Sequence, residues 1–410
     1  MSVVSITFMI ALLVVAGVIF FLPRGLPRQI LLALCNAIFL DYSVPNWQSW
    51  ISLAVFILSA YFVGEVVRKI EEPRNRSRIV TTYIALLVAA FVVLKEYQFL
   101  SFVIPPGTIS RYISIVGISY MLFRQIHYVI DVSEGQIERT SIWVYLNYQL
   151  DLFALYAGPI QRHEQFSECW TSLAPVLVDH HDRLKAIARL MIGILKVSVL
   201  GAYALRLSEK GGDQQVYARS VHGLIFFAML FYAYPAYIYF NFSGYCDVVI
   251  AGASLVGIRL PENFNHPYLA RNPIDFWTRW HMSLTNWIRD YVFTPLYKKG
   301  AENSIVKPAR LSYVCFFIAL FLAGVWHGST WNFVVFGVLH GCGVSIAKMW
   351  EEHIIRTKGR PGLKSYLKST PIRVVATIGT VHFVCLTLLF FPTDLAGRVQ
   401  FLRLFVTGRP

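Results

Sequence analysis

Apolar positions in this chain come in long blocks rather than in alternation. They lie near 2–22, 29–41, 50–67, 79–104, 112–130, 143–159, 186–206, 221–240, 246–258, 311–326, 331–349 and 373–391. Several blocks are short or interrupted by polar residues. A helix needs about 20 apolar residues to cross a bilayer, and inside lipid every backbone polar group must be satisfied within the span. The expected fold is therefore an all-α polytopic membrane protein with roughly 11 transmembrane helices. No internal repeat, low-complexity tract or linker divides it, so residues 1–410 are expected to form a single membrane domain. No basic residue precedes the first block, and Pro23-Arg24-Gly25 follows it. A signal peptide would have a basic start and a small-residue cleavage site, so an uncleaved first span is expected.

Segment 259–310 breaks the pattern: it is rich in polar residues yet carries Trp277, Trp280 and Trp287. With Ile274–Tyr291 placed on one helix, Phe276, Trp280, Leu284, Trp287 and Tyr291 form an apolar stripe. Thr278, His281, Thr285 and Arg289 share a polar face, and Asp275 and Arg279 have the i, i+4 spacing of an ion pair. The pattern fits an interfacial helix with aromatics at headgroup depth, and equally a helix lining a water-filled cavity.

Composition agrees with the blocks. Of 410 residues, 56% are hydrophobic and 15% charged, whereas a soluble domain carries about 25% charged residues. An ordinary soluble enzyme, a disordered chain and a disulfide-stapled secreted module are excluded. The net charge of +14 would suggest nucleic acid in a soluble protein. Here the basic residues sit between apolar blocks, where they set orientation and meet anionic headgroups, so membrane lipids and not nucleic acid are the expected partners. The basic connection 68–78, Arg24 and Arg28, and the stretch Lys348–Arg373 read as cytoplasmic. Asp41–Trp50 has no basic residue and reads as outside, which puts the N-terminus outside the cytoplasm. The six cysteines form no C-x-x-C pair, and neither a disulfide framework nor a metal cluster is expected.

Ionisable side chains within apolar blocks cost about 2.5–3.5 kcal/mol each at mid-span and so become functional candidates. Here they are Arg124, His127, Asp131, Asp151, Asp247, His327, His340 and His382. His327 stands out. It ends the run Leu311–Trp326 and lies between Gly324 and Gly328, where the backbone can break and let a substrate approach. A neutral imidazole there suits general-base work at neutral pH. The plainer reading is a histidine bonded to a neighbouring helix. His340 lies 13 residues on, roughly 140° around a continuous helix, and reads as structural. His127 and His382 read as satisfied core histidines, and His180 and His181 as a solvated loop. The small and polar residues of 239–247, among them Tyr239, Asn241, Ser243 and Asp247, either line a pocket or join helices. No P-loop, G-x-S-x-G, H-E-x-x-H or G-x-G-x-x-G stands in a supporting context.

Several stretches resemble the membrane-bound O-acyltransferase family, in its alginate O-acetylase branch. Tyr239-Phe240-Asn241-Phe242-Ser243-Gly244-Tyr245-Cys246-Asp247 resembles that family's DFSGYSD block, and Pro261–Tyr268 its PENFNRPY. Asp275–Leu284 with Trp287–Tyr291 is similar to FWRRWHISLSxWLRDY, and Gly324–Gly328 with Leu339-His340-Gly341 to GLWHG…LHG. Val116–Tyr120 and Ala157–Ile160 also fit, so the motifs run in family order over 116–341. Asn241 replaces the usual Asp, and Asn265-His266 replaces Asn-Arg. The chain ends soon after Phe391-Pro392, where longer alginate-type members add spans; that length is closer to the D-alanyl transfer proteins of teichoic acid modification.

The resemblance implies a ring of transmembrane helices with interfacial or re-entrant helices around a central tunnel, in the cell inner (plasma) membrane. His327 matches the active-site histidine and His281 the second histidine. No bound cofactor is implied. The donor is an acyl thioester such as acetyl-CoA, arriving from the cytoplasm. The acceptor is a hydroxyl of an exported polysaccharide, reached directly or through an extracytoplasmic acyltransferase partner protein. Acetyl transfer in alginate-like biosynthesis is the first expectation, and D-alanyl or other acyl transfer from a carrier protein the alternative. Trp280, Trp287 and Trp326 offer flat walls to a sugar or acyl chain, Arg279 and Arg289 could meet a phosphate-bearing donor, and Asp247 joins them as a candidate substrate contact. A transporter would show paired inverted repeats, and only one interrupted aromatic region is present.

Overall fold

Most of the apolar blocks become single helices in the computed structural model, which describes residues 6–110, 113, 117–173, 180–213, 221–302 and 308–391. The start of the first block, Val116 and Pro392 lie outside the described residues. Six helices are long and apolar enough to cross a membrane: Trp47–Arg68, Pro73–Lys95, His180–Glu209, Pro308–His327, Trp331–Lys368 and Thr370–Leu388. A shorter apolar helix covers Ile10–Phe21. No strand occurs among the described residues, only an isolated bridge between Phe264 and Trp280. The protein is thus an all-helical, multi-pass membrane protein.

The sequence pattern and the helices differ in several places, among them three with a local reason. The blocks at 221–240 and 246–258 are one 36-residue helix, Val221–Val256, because the small and polar residues between them remain helical. Its end is set by Gly257, whose φ of 98° is closed to other residues at little cost, with Ile258 N–H returning to Ala253 O at 2.8 Å. The block at 143–159 is no span: it divides into Ile142–Gln149 and Leu152–Leu155. Asn36 accepts from Leu152 N–H at 3.1 Å and Asp151 from Phe153 N–H at 3.3 Å, so the second helix starts afresh on side-chain acceptors. His180 and His181 open the helix His180–Leu195 rather than sitting in a loop, and both are exposed.

The chain divides into two compact units, Met1–Ile194 with Gly244–Glu262, and Leu195–Ser243 with Asn263–Pro410. In the first, Tyr128, Tyr145, Tyr148, Phe166 and Trp170 form a fully buried aromatic centre. Arg28, expected among orienting loop charges, is buried there and donates to Leu22 O and Leu173 O. Arg124 is also buried, donating to Tyr148 O and Gln149 O at 2.7 and 2.9 Å. The second unit is built on the hairpin of Pro308–His327 and Trp331–Lys368 with Thr370–Leu388. Its core joins Phe276, Trp277, Trp280, Phe336, Val344, Val384 and Leu388.

Candidate active site

The segment 274–291 is broken where one helix was expected. Pro273–Trp277 is a short helix, Met282–Ile288 another, and Arg289–Phe293 a π-helical turn. The break is at His281, a non-glycine residue with φ 46° and ψ 51°. Holding that left-handed conformation costs of order 1–3 kcal/mol and persists only where the surroundings fix it. Here the fixing element is the preceding stretch Pro261–Tyr268. Asn265 N–H donates to Arg279 O at 2.9 Å and Met282 N–H to Asn263 O at 3.0 Å, with Phe264 and Trp280 bridged between them. Two short extended pieces thus clasp the turn. The apolar stripe survives the break: Phe276, Trp280, Leu284 and Trp287 are all buried.

Asn263 does more than pair backbones. It is fully buried, and its Oδ1 accepts from Ser283 N–H at 3.1 Å and Ser283 Oγ–H at 2.9 Å. The amide orientation follows, since a backbone N–H needs an oxygen acceptor. His281 Nδ1 lies 3.2 Å from the same oxygen, so Nδ1 carries the proton and donates. The neutral ring then bears its lone pair on Nε2. Phe242 stands edge-on to the imidazole at 4.8 Å between centroids. Sequence reasoning gave Asn263 no role; the signal was its place in the Pro261–Tyr268 motif.

His327 ends the helix Pro308–His327 and is half-buried. Gly328 follows because nothing larger fits: a Cβ there would meet the Phe333 ring at 2.0 Å. The His327 and His281 rings are 6.4 Å apart, with Trp326 4.9 Å from the first and 6.4 Å from the second. Phe391 and Phe336 flank His327 at 5.5 and 6.0 Å. Three of the sequence candidates, His281, Trp326 and His327, therefore meet in one place.

The other candidates occupy different surroundings. Trp280 is 7% exposed and enclosed by Phe264, Phe276, Tyr239 and Tyr268, so its faces are committed to the core. Trp287 is buried against Tyr291 at 5.3 Å. Arg279 pairs with Asp275 at 2.7 Å, as the i, i+4 spacing suggested, and Arg289 is largely exposed beside Asp290. Asp247 belongs to the other unit, where Arg189 joins it at 2.9 Å and Glu262 at 2.6 Å.

His340 is structural, and its bonding shows why. Trp277 Nε1–H donates to His340 Nδ1 at 3.2 Å. The proton is therefore on Nε2, which reaches Thr387 Oγ1 at 2.9 Å, and Thr387 passes its own to Val384 O. Both ring nitrogens are engaged, and Phe336 packs at 4.4 Å. His382, expected in the core, is instead exposed, though its ring is satisfied: Nδ1 donates to Ile378 O and the Tyr232 hydroxyl stands 2.9 Å from Nε2. Buried His127 meets the Tyr148 hydroxyl. Among the described residues no group of three or more His, Cys, Asp or Glu could hold a metal ion.

Comparison with known proteins follows the same line. Residues 80–390 match the model of the MBOAT, membrane-bound O-acyltransferase family. A teichoic acid D-alanyltransferase of Streptococcus thermophilus is 28% identical over 347 residues, covering 82% of each chain. A probable alginate O-acetylase of Azotobacter vinelandii is 30% identical over 258 residues, 60% of this chain and 47% of that protein. A peptidoglycan O-acetyltransferase of Helicobacter pylori is 28% identical over 237 residues, 58% of this chain and 41% of that one.

Proposed function

The chain belongs to the membrane-bound O-acyltransferase family and is an O-acyltransferase; from that premise we propose that it moves an acyl group from a thioester donor to hydroxyls of an exported cell-envelope polymer. The observation that carries this reading is the pair of imidazoles 6.4 Å apart, one on a clasped turn and one at a helix end, with Trp326 beside both.

An alcohol is a weak nucleophile at neutral pH because it holds its proton. His327 is the general base: it takes that proton as the oxygen attacks the thioester carbonyl. The tetrahedral adduct then collapses, the C–S bond breaks, and the proton goes to the departing sulfur. His281 is the second catalytic imidazole, with its Nε2 lone pair presented by the Asn263 bond. A positioned base contributes about 10²–10⁴-fold, and holding both substrates together contributes further. Trp326 is the aromatic wall we assign to substrate. Arg279 and Arg289 remain proposed contacts for a phosphate-bearing donor in the cytoplasm.

The acyl group is assigned by a different argument. The D-alanyltransferase likeness extends over 82% of both chains, which favours D-alanyl from a carrier thioester. Acetyl to an exported polysaccharide, directly or through an extracytoplasmic partner protein, is the second reading, supported by the alginate and peptidoglycan O-acetyl relatives. Mild alkaline release from the exported polymer, followed by assay of D-alanine and acetate, separates the two. The same assay with His327→Ala at equal protein level is expected to fall to the level of cells lacking the protein. Unchanged ester content would remove the catalytic assignment. His281→Ala is expected to lower it as well, and full activity there would leave His281 a packing residue.

A further inference from the structure

A cavity of about 300 Å³ lies in the second unit, its lining sharing no residue with the aromatic surroundings of the imidazole pair. Its walls come from four stretches of chain: Arg271–Thr278, one turn either side of Trp350, the turn Leu363–Leu367, and the start of Thr370–Leu388. The cavity exists because the helix Trp331–Lys368 is broken at Gly359, where φ 67° and ψ 179° are not helical and Pro361 follows. The break turns the chain so that Tyr366 accepts from Trp350 Nε1–H at 3.2 Å and Leu367 O accepts from Arg271 Nη1–H at 3.1 Å.

The charges around it are unequal. Asp275 is taken by Arg279 at 2.7 Å and Glu351 by Lys348 at 3.0 Å. Arg271 and Arg373 also line the cavity; the Arg271 backbone N–H donates to Asp275 Oδ2 at 3.0 Å, while neither guanidinium pairs with a carboxylate among the described residues. The connecting stretch Lys348–Arg373 holds seven Lys and Arg against two Glu. Both walls run on into exposed apolar side chains. Ile346, Met349 and Trp350 are 63%, 50% and 53% exposed on one helix, and Val374, Val375 and Ile378 are 50%, 71% and 54% exposed on the other. Such side chains at the ends of spanning helices face hydrocarbon.

We propose that this cavity is a binding site for an anionic phospholipid, its headgroup phosphate held by Arg271 and Arg373 and its chains lying along the apolar faces of the two helices. Two unneutralised guanidiniums match a phosphate in charge and in donor geometry. A basic pocket between spanning helices at the membrane–water boundary selects acidic over zwitterionic headgroups. A soluble phosphate compound would use the arginines but gain nothing from the hydrocarbon-facing residues that adjoin them. The site is independent of the acyl-transfer reading.

The test uses the full chain in nanodiscs of phosphatidylcholine, titrated with brominated phosphatidylglycerol, which quenches nearby tryptophan. The Trp350 contribution is the difference between wild type and Trp350→Phe. It is expected to saturate at a low mole fraction of the anionic lipid, and with brominated phosphatidylcholine to rise only in proportion to mole fraction, without saturating. In Arg271→Gln/Arg373→Gln the midpoint rises roughly tenfold or more. Ala376→Phe, which keeps both charges and fills the cavity, has the same effect, so the result does not hang on one variant's folding. Equal quenching by both lipids, an unchanged midpoint in both variants, or displacement by soluble coenzyme A would overturn the proposal.

Discussion

Asn263 shows how one side chain can hold several groups of a turn in place. Its Oδ1 serves His281 Nδ1, Ser283 N–H and Ser283 Oγ, all in a buried place. Asn263→Ala leaves these without their acceptor, at about 1–3 kcal/mol for each buried unsatisfied group. We expect a fall in kcat of about 10²-fold, as a displaced group costs in such sites, with Asn263→Asp, which keeps the acceptor, recovering most of it. Full activity in the alanine variant, measured on purified protein, would show that the clasp holds without the side chain. Glu96 is a second such residue, outside the membrane spans. It accepts from the N–H groups of Gly107, Ile109 and Ser110 and from Ser110 Oγ, which pulls its carboxyl down from 4.5 to about 2. A depressed carboxyl contributes fully above its ordinary value and loses that contribution as pH falls through the folded one. Protection of the Gly107–Ser110 amides in hydrogen exchange should therefore exceed that of Glu96→Gln at pH 6. The two should converge as the pH drops from about 4.5 towards 2.

Among elements, the hairpin of Pro308–His327 and Trp331–Lys368 matters most, because His327 is its corner. The helices touch through glycine. A Cβ on Gly324 would lie 2.3 Å from Gly337 Cα, one on Gly337 2.8 Å from Phe321 O, and one on Gly341 2.9 Å from the Phe317 ring. Gly337 and Gly341 are four apart, the spacing by which small residues let helix backbones approach in lipid. Gly337→Leu should force the pair apart, lowering the Tm in detergent by several degrees and reducing acyl transfer, in line with the roughly 1–3 kcal/mol of overpacking. Gly379→Leu, at a position where a Cβ meets nothing within 4 Å, should do neither. Equal Tm for the two variants would show that the close approach carries no stability. The sequence made His327 and its flanking glycines legible, since an ionisable residue between glycines at the end of an apolar run is rare. It did not make the broken 274–291 segment legible. Periodicity records which residues are buried, and the same stripe is buried whether or not His281 interrupts the helix. The interruption comes from hydrogen bonds to Asn263 and Asn265, some 15–20 residues earlier in the chain, which no local pattern reports.

For the whole molecule, hydropathy and charge were sufficient to give the class: helical, multi-pass and in the membrane. They were less informative about where one helix ends and the next begins. Val221–Val256 reads as two runs because polar residues interrupt hydropathy without interrupting hydrogen bonding. The block at 143–159 reads as one because side-chain acceptors such as Asn36 and Asp151 restart a helix without changing its apolar content. The three candidate tryptophans differ in their surroundings. Trp280 and Trp287 looked like walls for a substrate and are packed into the interior, while Trp326 remains beside the imidazoles.

The way His281 is held has a consequence for how the protein responds to its host membrane. Spanning helices adapt to a thicker or thinner bilayer by tilting. His327, at the tip of one such helix, moves with that tilt. His281 hangs from a hydrogen-bonded clasp between two short extended pieces, so its position follows the clasp and not the register of a span. Lipid thickness, and with it growth temperature and acyl-chain length, therefore acts unequally on the two rings, and their separation becomes the quantity that the bilayer can adjust.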